Sequence, residues 1–170
     1  MTPGAAVVLA LGSNLGDRLA NLQGGVDALC AEPGLDQVAL SPVYESAPVG
    51  GPAQPDYLNA VLVAVTSLPA RSVLDRARAA EAARHRVREQ RWGPRTLDID
   101  VIVYGDEVSA DPDLTLPHPR AHERGFVLAP WHDVDPDAVI PGRGKIADLL
   151  AAVGTGGLRR RRCARLQAPA

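Results

Sequence analysis

The sequence predicts an α+β fold, a ferredoxin-like βαββαβ sandwich in which two helices cover one face of a mainly antiparallel sheet. Three observations predict it: an apolar run opens the chain, two helical stretches enclose two strand candidates, and a further strand candidate follows the second helix. We expect the other sheet face to stay open for ligands. The 170 residues fit one domain, which we assign to 1–157, with C-terminal additions and a disordered arginine-rich tail over 158–170.

The first strand and helix are predicted by a change in hydrophobic period. The run AAVVLAL at 5–11 is continuous and apolar, which is typical of a buried strand. A helix follows the turn LGSNLGD at 11–17, because apolar residues then recur at helical spacing at Leu22, Val26 and Leu29. This turn matches no phosphate-binding loop pattern, so we interpret it as a tight strand-to-helix connection.

Two strands, a helix and a final strand follow. The segments 35–46 and 57–66 are strand candidates, and a loop rich in proline and glycine, 47–56, separates them. The alanine- and arginine-rich segment 68–87 predicts the second helix, and TLDIDVIVYG at 96–105 predicts the last strand. Beyond it we expect irregular additions that end in a short helix.

Composition excludes several classes of function. A net charge of -2, with 46% hydrophobic and 22% charged residues, argues against a protein coated with positive charge for nucleic acid. Cys30 and Cys163 form no C-x-x-C pair, which argues against zinc and a disulfide framework and suits a reducing compartment. No apolar run is long enough for a membrane span or resembles a secretory leader. We therefore expect a cytoplasmic monomer with neither nucleic-acid nor membrane partners.

Two aspartates alternate with aliphatic residues on the last predicted strand. Because side chains alternate between the faces of a strand, Asp98 and Asp100 share one face while Leu97, Ile99 and Val101 share the other. The spacing of the aspartates, about 6 to 7 Å along the strand, suits two magnesium ions bridged by phosphate oxygens. The alternative is an ordinary half-exposed strand with its polar residues in water.

A cluster of positive charge directly precedes these aspartates. A triphosphate with bound metal needs arginines for its oxygens and carboxylates for its metals, so the combination favours a metal-nucleotide site over a solvated helix end. The cluster contains one acid, Glu89, among Arg84, His85, Arg86, Arg88, Arg91 and Arg95.

Aromatic and amide side chains suggest a second ligand, a flat ring. Asn59 offers a donor and an acceptor side by side, which suits the amide edge of a heterocycle, although a local hydrogen bond within the strand is the alternative. Tyr57, Trp92 and Phe126 all fall in loop-rich regions, which favours a stacking pocket.

The segment LPHPRAHERGF supplies further polar side chains. Two histidines four residues apart could bind metal on a helix, but the prolines on either side of the first disfavour a helix there. We interpret the set as phosphate or base contacts, or as surface residues, rather than as a zinc site. Its members are His118, Arg120, His122 and Arg124.

Four segments together resemble a known family. LGSNLGD, APVGGPAQPDYLNAV, RWGPRTLDIDVIVYG and LPHPRAHERGFVLAPW, in this order over about residues 6–140, closely resemble the 6-hydroxymethyl-7,8-dihydropterin pyrophosphokinases. The resemblance implies transfer of pyrophosphate from ATP to the hydroxymethyl group of the reduced pterin, a step of folate biosynthesis. It also implies two magnesium ions as cofactors, with ATP and the pterin as small-molecule substrates.

The resemblance further implies a role for individual side chains. The metal ligands would be Asp98 and Asp100. The catalytic positions would be Arg86, Arg95 and Asp100. The ATP-binding positions would be Glu81, Arg88, Arg91, His118 and Arg124. The pterin-binding positions would be Ser46, Pro48, Val49, Tyr57, Asn59, Trp92 and Phe126.

Some residues depart from the pattern of the family. Ser46, Ala47 and Val49 stand where relatives often have threonine, proline and leucine, which would loosen the pterin pocket without changing the reaction. Arg78 stands where some relatives have a glutamine that contacts the nucleotide. The identity of the general base stays open between Asp100 itself and a metal ion that lowers the pKa of the attacking hydroxyl.

A loop is predicted to close over the substrates and exclude water, and it ends with Arg91, Trp92 and Arg95.

Two competing functions predict different behaviour. A metal-dependent nucleotidyl transferase or nuclease would bind oligonucleotides, with an affinity that falls steeply as the salt concentration rises. A non-catalytic sensing module would bind its ligand without regard to magnesium.

Overall fold

A computed structural model describes residues 4–84 and 96–169. The first half of the chain forms β1 (Ala5–Ser13), α1 (Arg18–Cys30), β2 (Leu35–Leu40), β3 (Tyr44–Ser46), β4 (Tyr57–Thr66), α2 (Ala70–Ala83) and β5 (Asp98–Tyr104). The second half forms β6 (Ser109–Asp111), β7 (Leu114–Leu116), a single 3-10 turn (Ala121–Glu123), α3 (Gly125–Val134), β8 (Val139–Ile140), β9 (Gly144–Lys145), α4 (Ile146–Val153) and β10 (Leu158–Arg160).

The main sheet is antiparallel in every pair of neighbours. Its strands lie in the order β10-β3-β4-β1-β5, and β2 pairs with the far half of β4. Because β1 and β2 are both antiparallel to β4, they run parallel to each other with β4 between them. The part of the chain that the structure describes is thus a mixed α/β protein with four α-helices and an antiparallel sheet, in which three strands lie between α1 and α2 where two were predicted.

Proline divides the strand that was predicted over 35–46. Pro42 has no N–H for the ladder, and β2 and β3 lie on either side of it. Ser41 keeps this break attached to β4: its N–H donates to the Val61 carbonyl at 2.9 Å, and its Oγ accepts from the Val61 N–H at 2.8 Å.

One face of the sheet packs against α1 and α2, as predicted. Leu9, Leu11 and Leu62 from the central strands are buried there with Leu22 and Val73 from the two helices. Ile99 and Val101 of β5 face the same core, and Leu97, directly before the strand, belongs to it as well. The alternation predicted around the two aspartates is therefore confirmed.

The expectation of a fully open second face is wrong. Helix α3 covers much of it, and Trp131 and Leu128 pack there against Val8, Val61 and Ile102. The sequence did not predict this helix, because the segment LPHPRAHERGFVLAPW contains prolines, which normally disfavour helices. One of them, Pro130, lies inside α3. At the end of the sheet that carries the aspartates, the side chain of Asp100 is 36% exposed in the part of the chain that the structure describes.

The expectation of a disordered tail from residue 158 is also wrong. Strand β10 pairs with β3, and the Arg161 N–H then donates to the Val43 carbonyl at 2.8 Å. Further on, the Gln167 N–H donates to Oε1 of Gln23 on α1 at 2.7 Å. A run of arginines normally indicates a solvated segment, but here an acidic residue of β3, Glu45, pairs with two of them.

Among the helices of residues 4–84 and 96–169, none combines the length and the apolar character that crossing a bilayer requires.

Candidate active site

A row of paired residues crosses the end of the sheet that carries the aspartates. Asp98 on β5 lies opposite Gly12 on β1, Gly12 lies opposite Asn59 on β4, and Asn59 lies opposite Tyr44 on β3. Directly paired residues of neighbouring strands share a face. The row therefore brings the predicted metal ligand Asp98 and the predicted ring-binding Asn59 to the same face, two strands apart.

Glycine in the middle of the row leaves room between these side chains. A Cβ on Gly12 would lie 3.4 Å from Cδ1 of Tyr57 and 3.5 Å from Oδ1 of Asn59. These are ordinary contact distances, so a methyl group would fit without strain. Tyr57 and Asn59 thus lie beside Gly12, and we refer to the surface above Gly12, between these two residues and the aspartates, as the groove.

Asp100 lies one step further along β5 on the same face. Its side chain is 36% exposed, and its Oδ2 stands 3.8 Å from Nε2 of His118 and 3.8 Å from Nη1 of Arg124. The structure therefore brings together four predicted residues, Asp98, Asp100, His118 and Arg124, on one side of the groove.

His118 is held in one orientation by its backbone and ring. Its N–H donates to the Ile102 carbonyl at 2.8 Å, and its Nδ1 accepts from the Arg120 N–H at 3.2 Å. Burial and the charges of Arg124 and Arg120 lower its pKa to about 4, although Asp98 acts in the opposite direction. At neutral pH the ring is therefore uncharged, and the acceptor role of Nδ1 leaves the proton on Nε2, which faces Asp100.

Arg124 connects the carboxylates to the aromatic side of the groove. It lies at the start of α3, and its guanidinium carbon is 5.5 Å from the centroid of the Phe126 ring. This is within the range of a cation–π interaction. The same side chain thus stands close to both Asp100 and Phe126.

Three of the predicted ring-binding residues line a cleft of about 320 Å³. These are Ser46, Val49 and Phe126, and the glycine-rich segment 154–158 lines the cleft as well. Asn59 is buried beside it, and its Nδ2 donates to Oγ of Ser46 at 2.8 Å. Pro48 lies in the loop between two residues that line the cleft, Ala47 and Val49.

Glu81, predicted on the nucleotide side, is buried in the last turn of α2. This helix packs on the opposite face of the sheet from the groove. The remaining predicted positions lie outside the described residues: His85, Arg86, Arg88, Arg91, Trp92 and Arg95.

Sequence reasoning missed the residues that hold the loop 47–56. Nδ2 of Asn14 donates to Oε1 of Gln54 at 2.8 Å and to the Pro55 carbonyl at 2.9 Å. The turn around Asn14 was interpreted only as a strand-to-helix connection, yet it also fixes this loop. Glu45, Arg18 and Arg159 were missed as well, because ion pairs between residues so far apart leave no local pattern.

The described residues contain no group of three or more histidine, cysteine or acidic side chains arranged to hold a metal. Asp98 and Asp100 supply two carboxylates, so a bound cation would need further oxygen ligands from its other partners. Phosphate oxygens and water are the ligands that magnesium usually keeps in nucleotide sites.

The chain belongs to the family described as 7,8-dihydro-6-hydroxymethylpterin-pyrophosphokinase (HPPK), whose model matches residues 8–136. Relatives called 2-amino-4-hydroxy-6-hydroxymethyldihydropteridine pyrophosphokinase are similar to it. The protein from Methylorubrum extorquens is 43% identical over 89% of this chain and 96% of its own length. The protein from Mycobacterium tuberculosis is 50% identical over 81% of this chain and 77% of its own length.

Solved structures support the fold. An HPPK-DHPS in complex with substrates matches 93% of this chain with a TM-score of 0.69 and 11% identity. The wild-type HPPK-DHPS of Plasmodium falciparum matches 92% with a TM-score of 0.70 and 12% identity. The chain spans about half the length of these two proteins, 47% and 48%.

Proposed function

We propose that this protein transfers pyrophosphate from ATP to the hydroxymethyl group of 6-hydroxymethyl-7,8-dihydropterin, giving AMP and the pterin diphosphate in folate biosynthesis. Membership of the family and the names of its relatives support this reaction. The observation that carries it is the row Asp98–Gly12–Asn59, in which a carboxylate and a buried amide flank one groove. Such a groove can hold a metal-bound triphosphate on one side and a flat ring on the other.

The carboxylates suit magnesium. Asp98 and Asp100 offer hard oxygen donors on a partly exposed face, and we propose that they hold two ions together with ATP. When bound, these ions would supply positive charge against the phosphate oxygens. The uncharged His118 and the cation Arg124, both beside Asp100, would then donate hydrogen bonds to the nucleotide.

The cleft beside Asn59 suits the pterin. Because Nδ2 of Asn59 is engaged by Ser46, the buried amide has a fixed orientation and can recognise the polar edge of a ring. Phe126 would stack on one face of the ring, while Tyr57 and Val49 would border it. We propose that Trp92 covers the other face of the pterin ring, as the family resemblance implies.

The remaining roles are proposed on the family resemblance alone. Arg86 and Arg95 would stabilise the charge that develops on the triphosphate, with Arg88, Arg91 and Glu81 on the nucleotide side. Two routes for removing the proton of the attacking hydroxyl stay open: Asp100 would accept it, or a bound metal ion would lower the pKa of the hydroxyl so that no protein base is needed.

Features of the whole protein complete the proposal. We infer that the sheet is the ferredoxin-like arrangement, since β4 lies between the parallel strands β1 and β2. We also infer a single catalytic domain that acts as a monomer. The free thiols Cys30 and Cys163 support a reducing compartment such as the cytoplasm.

The reaction can be tested by the AMP that the protein forms from ATP, magnesium and 6-hydroxymethyl-7,8-dihydropterin. We expect AMP only when the pterin is present, and we expect Asp98→Ala and Asp100→Ala each to lower the rate by roughly 100-fold or more. Asp106→Ala removes an exposed aspartate just beyond β5 and is the matched control. Release of ADP, or equal rates in all three variants, would contradict the proposal.

A further inference from the structure

The loop 47–56 has a narrow stem. Strands β3 and β4 pair where the loop begins and ends, with Ser46 opposite Tyr57 and Glu45 opposite Leu58. The loop carries Val49 and is flanked by Ser46 and Tyr57, all of which border the proposed pterin site. The geometry of the stem therefore decides where these side chains lie.

Arg18, the first residue of α1, bridges both sides of this stem. Its Nη1 lies 2.8 Å from Oε2 of Glu45, just before the loop, and donates to the Asp56 carbonyl at 3.0 Å, at the loop's other end. One guanidinium group thus connects the two ends of the loop.

Arg159 forms a second bridge from the C-terminal strand. It lies directly opposite Glu45 in the pairing of β10 with β3, and its Nη2 donates to Oε1 of Glu45. The same nitrogen stands 3.6 Å from Oδ2 of Asp56. Two arginines from distant parts of the chain therefore contact the same two acidic residues of the stem.

Glu45 is held in its charged form at the centre of this arrangement. The residue is only 5% exposed, and burial alone would raise its pKa. The hydrogen bond from Arg18 and the charges of Arg161, Arg18 and Arg159 outweigh burial, so the pKa lies below its ordinary value. Arg161 adds a third contact, with its Nη1 3.1 Å from Oε1 of Glu45.

We propose that Arg18 and Arg159 are positioning residues for the pterin, because they clamp the stem of the loop 47–56. The inference rests on the proposed function and extends it to the C-terminus. Gly154, Gly157 and Leu158, which precede Arg159, line the same cleft as Phe126. The arginine-rich end of the chain is then part of the pterin side of the site, although neither arginine contacts the substrate.

The test compares Arg159→Ala with wild type in steady-state kinetics. The Arg159 side chain is 67% exposed, so its truncation leaves no cavity. We expect the KM for the pterin to rise roughly fivefold, as for loss of a partly exposed ion pair, with kcat and the KM for ATP changed less than about twofold. Arg159→Lys should restore most of the affinity. Arg162→Ala removes an arginine of the same tail that contacts neither Glu45 nor Asp56 in the described structure and is the matched control.

Amide hydrogen exchange in the loop 47–56 tests the clamp without relying on activity. Exchange there should be faster in Arg159→Ala than in Arg162→Ala. Equal exchange in the two variants would overturn the clamp. Faster exchange with an unchanged KM for the pterin, or an equal rise in both KM values, would overturn the role of the arginines in positioning the pterin. A wild-type protein that forms no pterin diphosphate would refute the proposed function, whereas the exchange comparison would still decide whether the arginines hold the loop.

Discussion

The row of paired residues that crosses the sheet, from Asp98 through Gly12 to Asn59, differs between its two ends. At the β5 end, Asp100 is 36% exposed, and His118 and Arg124 stand 3.8 Å from it, beyond hydrogen-bond distance. At the β3–β4 end, Asn59 is buried and donates to Ser46 at 2.8 Å. The first end thus carries a partly exposed carboxylate, while at the second a polar group is buried and held by a hydrogen bond.

This difference indicates that the two ends have different functions. Substitutions at the β5 end should lower turnover, because the carboxylates act on the groups that carry charge in the reaction. Substitutions at the β3–β4 end should instead weaken pterin binding. Asp100→Asn, Asn59→Ala and Gly12→Ala test whether the two ends can be separated in this way, and Glu45→Gln tests the charge at the stem of the neighbouring loop.

The largest effect is expected for Asp100→Asn. The substitution keeps the shape of the side chain but removes its charge, so we expect kcat to fall by roughly 100-fold or more while the KM for the pterin changes little. Initial rates at increasing magnesium concentration measure the effect. If the variant kept normal metal affinity and the full rate, Asp100 could not be the proton acceptor.

Asn59→Ala should act mainly on pterin affinity. Loss of a buried hydrogen-bonding group typically costs 1–3 kcal/mol, so we expect the KM for the pterin to rise by about tenfold or more, with the KM for ATP nearly unchanged. Ser46→Ala is the companion variant, since it removes the Ser46 acceptor of the Asn59 amide and leaves its longer hydrogen bond to the Tyr44 carbonyl. Equal losses for both substrates in Asn59→Ala would show that the two ends of the row are not separable.

Gly12→Ala tests the gap between the two ends. The added methyl group would meet Tyr57 and Asn59 at ordinary contact distances, so the melting temperature should stay within about two degrees of wild type. The same methyl fills the groove, and we expect a several-fold rise in the KM for the pterin, on the scale of small steric changes in a pocket. A loss of stability without a change in KM would place the substrate elsewhere.

Glu45→Gln should have the smallest effect, and its size should depend on pH. The folded pKa of Glu45 lies below the ordinary value of 4.5, so its charge stabilises the fold above that pH, and this contribution is lost as pH falls through the folded pKa. We expect the variant to be less stable at pH 7 by about 1 kcal/mol and to approach wild type in acid. Urea unfolding at several pH values measures the difference, and a gap that widens in acid would contradict it.

The sequence predicted the β5 end better than the β3–β4 end, for a physical reason. Strand alternation is a local rule, so the shared face of Asp98 and Asp100 followed from their spacing. The clamp at Glu45 depends on Arg159, which is 114 residues away. No local pattern encodes such a pair, and a run of four arginines is more typical of a solvated tail.

Helix α3 shows the same limit. Its segment holds prolines that normally end helices, and Pro130 lies inside it. The helix is kept by burial of Trp131 and Leu128 against Val8 and Ile102, which only the folded sheet provides. The sequence therefore predicted the two helices on one face and missed the helix that covers part of the other.

Phosphorus NMR of one reaction mixture tests the central claim most directly. The protein would be incubated with ATP, magnesium and 6-hydroxymethyl-7,8-dihydropterin, and the products would be followed over time. The account predicts the single signal of AMP together with the two coupled signals of a pterin diphosphate. ADP, or free pyrophosphate in place of the pterin diphosphate, would contradict it.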